Sequence, residues 1–154
     1  MTVAENMLLA SKRGEKRHLM PRRLKQRMAE FTKLAAQMNN GLENRMTTPT
    51  GALSGGQRQA LSFLMATLKR PDILLLDEHT AALDPHTARN LLHATNQRIT
   101  EDHLTALMIT HHMEDALKYG NRLIVLKDGQ IKADYNAAEK AQLTVDDLYA
   151  YFEM

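Results

Sequence analysis

Two short apolar runs, Ile73 to Leu76 and Leu104 to Ile109, each lead into ionisable residues, and a stretch of helical periodicity separates them. The first run is bounded by Pro71 on one side and by Asp77 and Glu78 on the other, which is the pattern of a strand buried on both faces. Between the runs, Asp84-Pro85 supplies an N-cap followed by Pro at the first helical position, and Leu91, Leu92 and Ile99 supply the buried stripe of a helix. Strand, helix and strand in this order predict an α/β fold with a parallel sheet. Ligands of such sheets bind beyond the carboxyl ends of the strands, so Asp77, Glu78 and His111 are expected at one edge.

The remainder of the chain divides unevenly around this unit. Thr2 and Glu5 make a capping-box pattern for a first helix, which breaks at Ser11 to Gly14. A second helix is expected from Pro21 to near Gly41, with Leu24, Met28, Phe31, Ala35 and Met38 on one face. The methionines of that stripe are assigned to the core rather than to a metal. Thr47 to Gly56, "TTPTGALSGG", has the composition of a loop, and a helix carrying Leu61, Leu64, Met65 and Leu68 follows it to Arg70-Pro71. Beyond His111 and His112, a short helix from Met113 to Tyr119 is closed by Gly120. "RLIVL" and "IKADY" flank Asp128-Gly129 as a hairpin, and Thr144 with Asp147 opens a last helix carrying Leu148, Tyr149 and Phe152. The expected organisation is a helical subdomain over residues 1–70 and part of a sheet core over 71–154.

Composition removes several classes of function. The chain of 154 residues has no cysteine, which excludes disulfides and thiolate metal sites. No apolar run approaches the roughly 20 residues of a membrane helix, and Glu5 and Asn6 interrupt the place of a signal peptide. Lys12 to Lys33 concentrates nine Lys or Arg against Glu15 and Glu30, while the net charge is only +2. With Phe31 the sole aromatic there, this segment is a solvated or partner-docking helix, and no nucleic-acid partner is expected.

The candidate chemistry lies in two places. Asp77 at the end of a strand could orient the water shell of a phosphate-bound Mg²⁺, and Glu78 could act as general base on an attacking water. Taken alone, the pattern is equally that of a strand running into a polar turn. Leu53-Ser54-Gly55-Gly56-Gln57 precedes a helix, so backbone N–H groups, a hydroxyl and the positive helix end converge as an anion cradle. A flexible Gly-Gly turn with a Ser cap would also explain the glycines, but not Gln57, Arg58 and Gln59 in that order.

"LSGGQRQ" at 53–59, "ILLLDE" at 73–78, "AALDP" at 81–85 and "ITH" at 109–111 stand in the order and spacing of ATP-binding cassette (ABC) ATPases, a P-loop NTPase family. The chain resembles that family over these motifs. The resemblance implies that Leu53, Ser54, Gly55, Gly56 and Gln57 form the signature that contacts a nucleotide held by a second subunit. It makes Asp77 the Mg²⁺-orienting aspartate, Glu78 the catalytic base, Ala82, Leu83 and Asp84 the D-loop, and His111 the switch histidine. His112 inherits no role. His79 stands where many relatives have Pro, and with "TTPTGALSGGQRQALSFLMATL" this is similar to the branch serving binding-protein-dependent importers, some proposed for aromatic amino acids.

One device of the family is absent. None of the seven glycines is followed by lysine, so there is no G-x-x-x-x-G-K-[ST] phosphate loop. The resemblance places that loop and the Q-loop upstream of "MTVAENMLLA", making the chain the C-terminal portion of a longer cassette. The implied whole is an ATPase, cofactors ATP and Mg²⁺, that drives solute import from the cytoplasmic face of the membrane with permease subunits and a second ATPase subunit. Alone, the chain is expected neither to hold ATP tightly nor to hydrolyse it, and its strand edges, deprived of the phosphate-loop strand, are expected to make it marginal or oligomeric. Two other readings are a non-transport ABC ATPase, disfavoured by the lack of heptads, and an accessory chain that lends its signature to a partner's ATP.

Overall fold

The computed structural model describes residues 1–15 and 24–152. They form two compact units, Met1–Leu107 and Met108–Met154. Pro21, Arg22 and Arg23, with the expected start of the second helix, lie outside the described residues.

The first unit opens with α1 (Val3–Ser11), whose Thr2 cap accepts from Glu5 N while the Glu5 carboxylate accepts from Thr2 N at 2.8 Å. α2 spans Leu24–Ala36 and buries Phe31 and Ala35; Met38, just beyond it, is buried as well. The chain then reverses through Asn39 (φ 51°) and Gly41 (φ 75°) into a 3-10 turn, Leu42–Arg45. Residues 46–50 are pinned to the start of α1: Val3 N donates to Thr48 O at 3.1 Å and Ala4 N to Met46 O at 3.0 Å. Inside the expected loop lies a second 3-10 turn, Thr50–Ala52, and α3 (Gly55–Thr67) starts immediately after Ser54. α1 packs on α2 and α3, and α3 on the long helix α4 (Pro85–Glu101). Val3, Met7, Phe31, Met38, Leu42 and Leu64 make the centre of this core. Burial of such side chains stabilises by about 1.5–3 kcal/mol each before the entropy of ordering is counted.

β1 (Leu74–Asp77) and β2 (Ala106–Ile109) form a two-stranded sheet, joined through α4, with Leu74 N donating to Thr105 O at 2.9 Å. Burial on both faces, expected for these runs, is not what the structure has. Leu74 and Leu76 are 4% and 7% exposed, whereas Leu75 and Leu107 are 66% and 49% exposed. Strand side chains alternate between faces, and only one face of this sheet is covered by described residues.

The second unit is built on the antiparallel hairpin β3 (Leu123–Lys127) and β4 (Gln130–Tyr135). Asp128 (φ 53°) and Gly129 (φ 70°) both take the left-handed conformation that a two-residue turn of this twist demands. A register shift between Val125 and Leu126 sets Leu126 opposite Ile131. Arg122 grips Asp134 across the strands through Nε–Oδ1 at 2.8 Å and Nη2–Oδ2 at 2.5 Å, drawing the carboxyl below its ordinary range by hydrogen bond and charge. α5 (Met113–Lys118) packs on α7 (Val145–Tyr149), where Leu148 is buried while Tyr149 and Phe152 are exposed. α6 (Ala137–Lys140) has no counterpart among the expected elements; it carries the buried Lys140, whose ammonium donates to the carbonyls of Tyr119 and Gly120, the latter at 2.9 Å, and so caps the end of α5. The β1–β2 and β3–β4 sheets are separate among the described residues.

Candidate functional site

The N-terminus of α3 is held by reciprocal caps. Ser54 Oγ accepts from Gln57 N at 3.2 Å, and Gln57 Oε1 accepts from Ser54 N at 3.2 Å. Gln57 is therefore explained locally as the closing residue of an S-x-x-Q capping box. Its Nε2 also donates to Asn40 O at 3.2 Å, and Asn40 Nδ2 donates to Gly56 O at 3.2 Å. Asn40 was absent from the sequence-derived set, since nothing in a separation of sixteen or seventeen residues signals the contact. Among the described residues, the amides of Gly55 and Gly56, the first two of the helix, donate to no protein acceptor. Together with the hydrogen of the Ser54 hydroxyl they leave donors at a positive helix end. Leu53 differs from its neighbours: its side chain is buried in the core.

The acidic segment begins on β1. Because Leu74 and Leu76 point inward, Asp77 lies with Leu75 on the open face. Glu78 is exposed and left-handed, with φ 43°, a conformation that costs a residue with a Cβ about 1–2 kcal/mol. Its carbonyl accepts from Ala81 N at 3.0 Å, and Thr80 O accepts from Leu83 N at 3.1 Å. These two turns carry the chain from the strand end to Asp84, whose Oδ1 accepts from His86 N at 3.1 Å and Thr87 N at 3.0 Å as the N-cap of α4. The Thr87 side chain and the two amides hold the Asp84 carboxyl below its usual range.

The two segments meet. A methyl group placed on Gly55 would stand 3.5 Å from Leu83 Cδ2, and one on Gly56 would collide with Cγ2 of Thr87. Ser54 to Gln57 and Leu83 to Asp84 thus converge in the first unit, with Ala82 exposed on the turn between them and the acids. His111 belongs to the second unit, where its ring is exposed and its centroid lies 4.3 Å from that of His112. His112 stands at the N-cap of α5 without a side-chain capping bond, its amide donating to Thr110 Oγ1 at 3.1 Å.

These residues fit an anionic ligand with a hard cation. Two amides without a protein acceptor, Gly55 exposed and Gly56 buried beneath Thr87, and a hydroxyl suit a phosphate oxygen, and adjacent exposed carboxylates suit Mg²⁺ that keeps part of its water shell. Among the described residues no three His, Cys, Asp or Glu side chains gather to hold a metal themselves.

The model of the ABC transporter family matches residues 1–81, more than half of the chain. The chain belongs to the ABC transporter ATP-binding family. It is 40% identical over 153 residues to the tyrosine transport ATP-binding protein of Clostridioides difficile (strain R20291), covering 99% of this chain and 61% of that protein. With the thiamine import ATP-binding protein of Escherichia coli (strain K12) it shares 34% identity over 131 residues, 85% of this chain and 53% of the relative. Among solved structures, the ATP-binding cassette MJ0796, in a dimeric post-hydrolysis state bound to ADP and Pi, superposes with a TM-score of 0.70 at 26% identity, covering 89% of this chain and 57% of that one. The expected α/β cassette fold is therefore borne out, and this ABC chain spans 61% or less of the length of these relatives. No helix among the described residues is long and apolar enough to cross a membrane.

Proposed function

We propose that the chain is the signature-bearing portion of the ATP-hydrolysing subunit of a solute importer, working at the cytoplasmic face of the membrane with permease subunits and a second ATPase subunit. Its helical subdomain is residues 1–70, and residues 71–154 are the C-terminal part of the ATPase core. The observation that carries this reading is the close approach of Gly55 and Gly56, whose amides have no protein acceptor, to Leu83 and Thr87, one short turn from Asp77 and Glu78. The importer assignment is supported by the tyrosine and thiamine import proteins among its relatives.

In this reading Ser54, Gly55 and Gly56 donate to the terminal phosphate of an ATP held by the partner subunit, and Gln57 keeps the helix end in place. At the other nucleotide, which faces the partner's signature and not this chain's own, Asp77 would orient the water shell of Mg²⁺, which when bound neutralises charge on the transferring phosphate. Glu78 accepts a proton from the attacking water, His111 contacts the phosphate as it leaves, and Ala82 to Asp84 transmit the state of one site to the other. The chain has no phosphate loop of its own, so turnover requires a subunit that supplies one. Calorimetric titration with Mg-ATP, beside a Glu78→Gln variant that blocks turnover, tests this. The expected result is no binding in the micromolar range. Tight Mg²⁺-dependent binding would show that another part of the chain holds phosphate and would overturn the reading.

A further inference from the structure

The turn after α2 is buttoned to the signature helix by two side-chain bonds running in opposite directions. Asn40 Nδ2 donates to Gly56 O at 3.2 Å, and Gln57 Nε2 donates to Asn40 O at 3.2 Å. Asn40 is itself fixed from the other side, because its Oδ1 accepts from Leu42 N at 3.2 Å. The turn has little freedom to let go, since α2 ends through a left-handed Asn39 and Gly41 and is anchored by buried Met38 and Leu42 on either side.

What the latch controls is the direction of two amides. Gly56 O and Gly56 N lie on the peptide planes flanking one Cα, and Gln57 sets the distance from Ser54 to the first turn by closing its cap. Two glycines in succession otherwise leave the backbone free to rotate. A donor pair that must meet one phosphate oxygen needs that rotation suppressed beforehand, because preorganised dipoles cost nothing to reorient when charge arrives. The Thr87 side chain closes the remaining side of Gly56, which is buried while Gly55 is open. We propose that Asn40 is a positioning residue: through its paired bonds with Gly56 and Gln57 it aims the Gly55 and Gly56 amides at phosphate. This rests on the proposed role of Ser54 to Gly56 as a phosphate-binding end.

The test follows the Gly55 and Gly56 amide resonances of the 154-residue chain during titration with inorganic pyrophosphate, for the wild type, Asn40→Ala and Phe31→Leu. Phe31 is fully buried on α2 and is a partner in neither the Asn40–Gly56 nor the Gln57–Asn40 bond, so its variant serves as the stability control. Asn40→Ala is expected to weaken the pyrophosphate response about fivefold, the equivalent of one hydrogen bond. Phe31→Leu is expected to lower the thermal midpoint at least as much and to leave the response within about twofold of wild type. Equal weakening in both variants, in proportion to their stability, would reduce Asn40 to a structural residue and overturn the proposal. A wild-type response with no change in Asn40→Ala would overturn it while leaving the phosphate reading intact. A wild-type chain whose two amides ignore pyrophosphate would overturn both.

Discussion

Replacing Gly56 by alanine separates packing from helix propensity in one substitution. Propensity favours the change, because alanine in a helix is worth about 0.8–1 kcal/mol over glycine. Packing opposes it. The new methyl would collide with Thr87 Cγ2, well inside the optimal carbon separation of about 3.5–4.0 Å, with Thr87 Cβ at 3.8 Å and Leu83 Cδ2 at 4.0 Å behind it. Relief requires α3 and α4 to part or Thr87 to rotate, and rotation disturbs the hydroxyl that helps hold Asp84. Overpacking costs about 1–3 kcal/mol, and a contact this short belongs at the upper end, so the balance is a net loss of about 2 kcal/mol, or roughly 4–8 °C in the thermal midpoint at this chain length. Thr87→Ser removes only the colliding methyl and keeps the hydroxyl, so Gly56→Ala with Thr87→Ser should regain most of the loss. Circular dichroism melts of the four members of that cycle measure the coupling, and Gly51→Ala, where a methyl meets nothing within 4 Å, is the neutral control. A Gly56→Ala chain as stable as wild type, or a loss untouched by Thr87→Ser, would show that the α3–α4 approach is not what holds position 56 to glycine.

Three further outcomes follow from the same structure. Asp84→Ala should lower the thermal midpoint by removing the cap of α4. Because the folded carboxyl sits below its unfolded value, the stability it adds is present above the ordinary carboxylate range and lost as pH falls through the folded value; melts from pH 7 downward should show a shallower acid loss in the variant. Lys140→Met should cost about 0.5–1.5 kcal/mol in chemical denaturation, since it removes the donor to the part-buried carbonyls of Tyr119 and Gly120. Leu75→Lys, on the open face of β1, should reduce concentration-dependent self-association in sedimentation or gel filtration; a strictly monomeric wild type would remove the premise.

Legibility from sequence tracked the range of the interaction. The caps at Thr2, Ser54, Asp84 and Thr144 and the Asp128-Gly129 turn depend on residues two or three apart, and each stands where its local pattern places it. The Asn136–Glu139 box is equally local and carries a visible N-x-x-E, but the helix it opens has only four residues, too few for an apolar period to mark it. The buried-strand expectation failed for a different reason. Four consecutive apolar residues contain no alternation, so nothing in "ILLL" distinguishes Leu74 and Leu76, which face the core, from Leu75, which does not. The bond from Asn40 to Gly56 and the clash that excludes a methyl at Gly56 are tertiary, and no periodicity encodes them. The family motifs supplied the candidate residues, while the packing that surrounds Gly55 and Gly56 emerged only from their neighbours in space.

The left-handed backbone of Glu78 sets stability against chemistry at a single residue. At φ 43° glycine would sit without steric cost and asparagine with little, whereas glutamate sits there under strain. Selection for a sturdier chain would therefore drift away from an acid at position 78, and only a requirement for a carboxylate at that point in space would draw it back. On the proposed role of Glu78 as general base, a Glu78→Gly substitution should relieve the backbone strain and abolish turnover together.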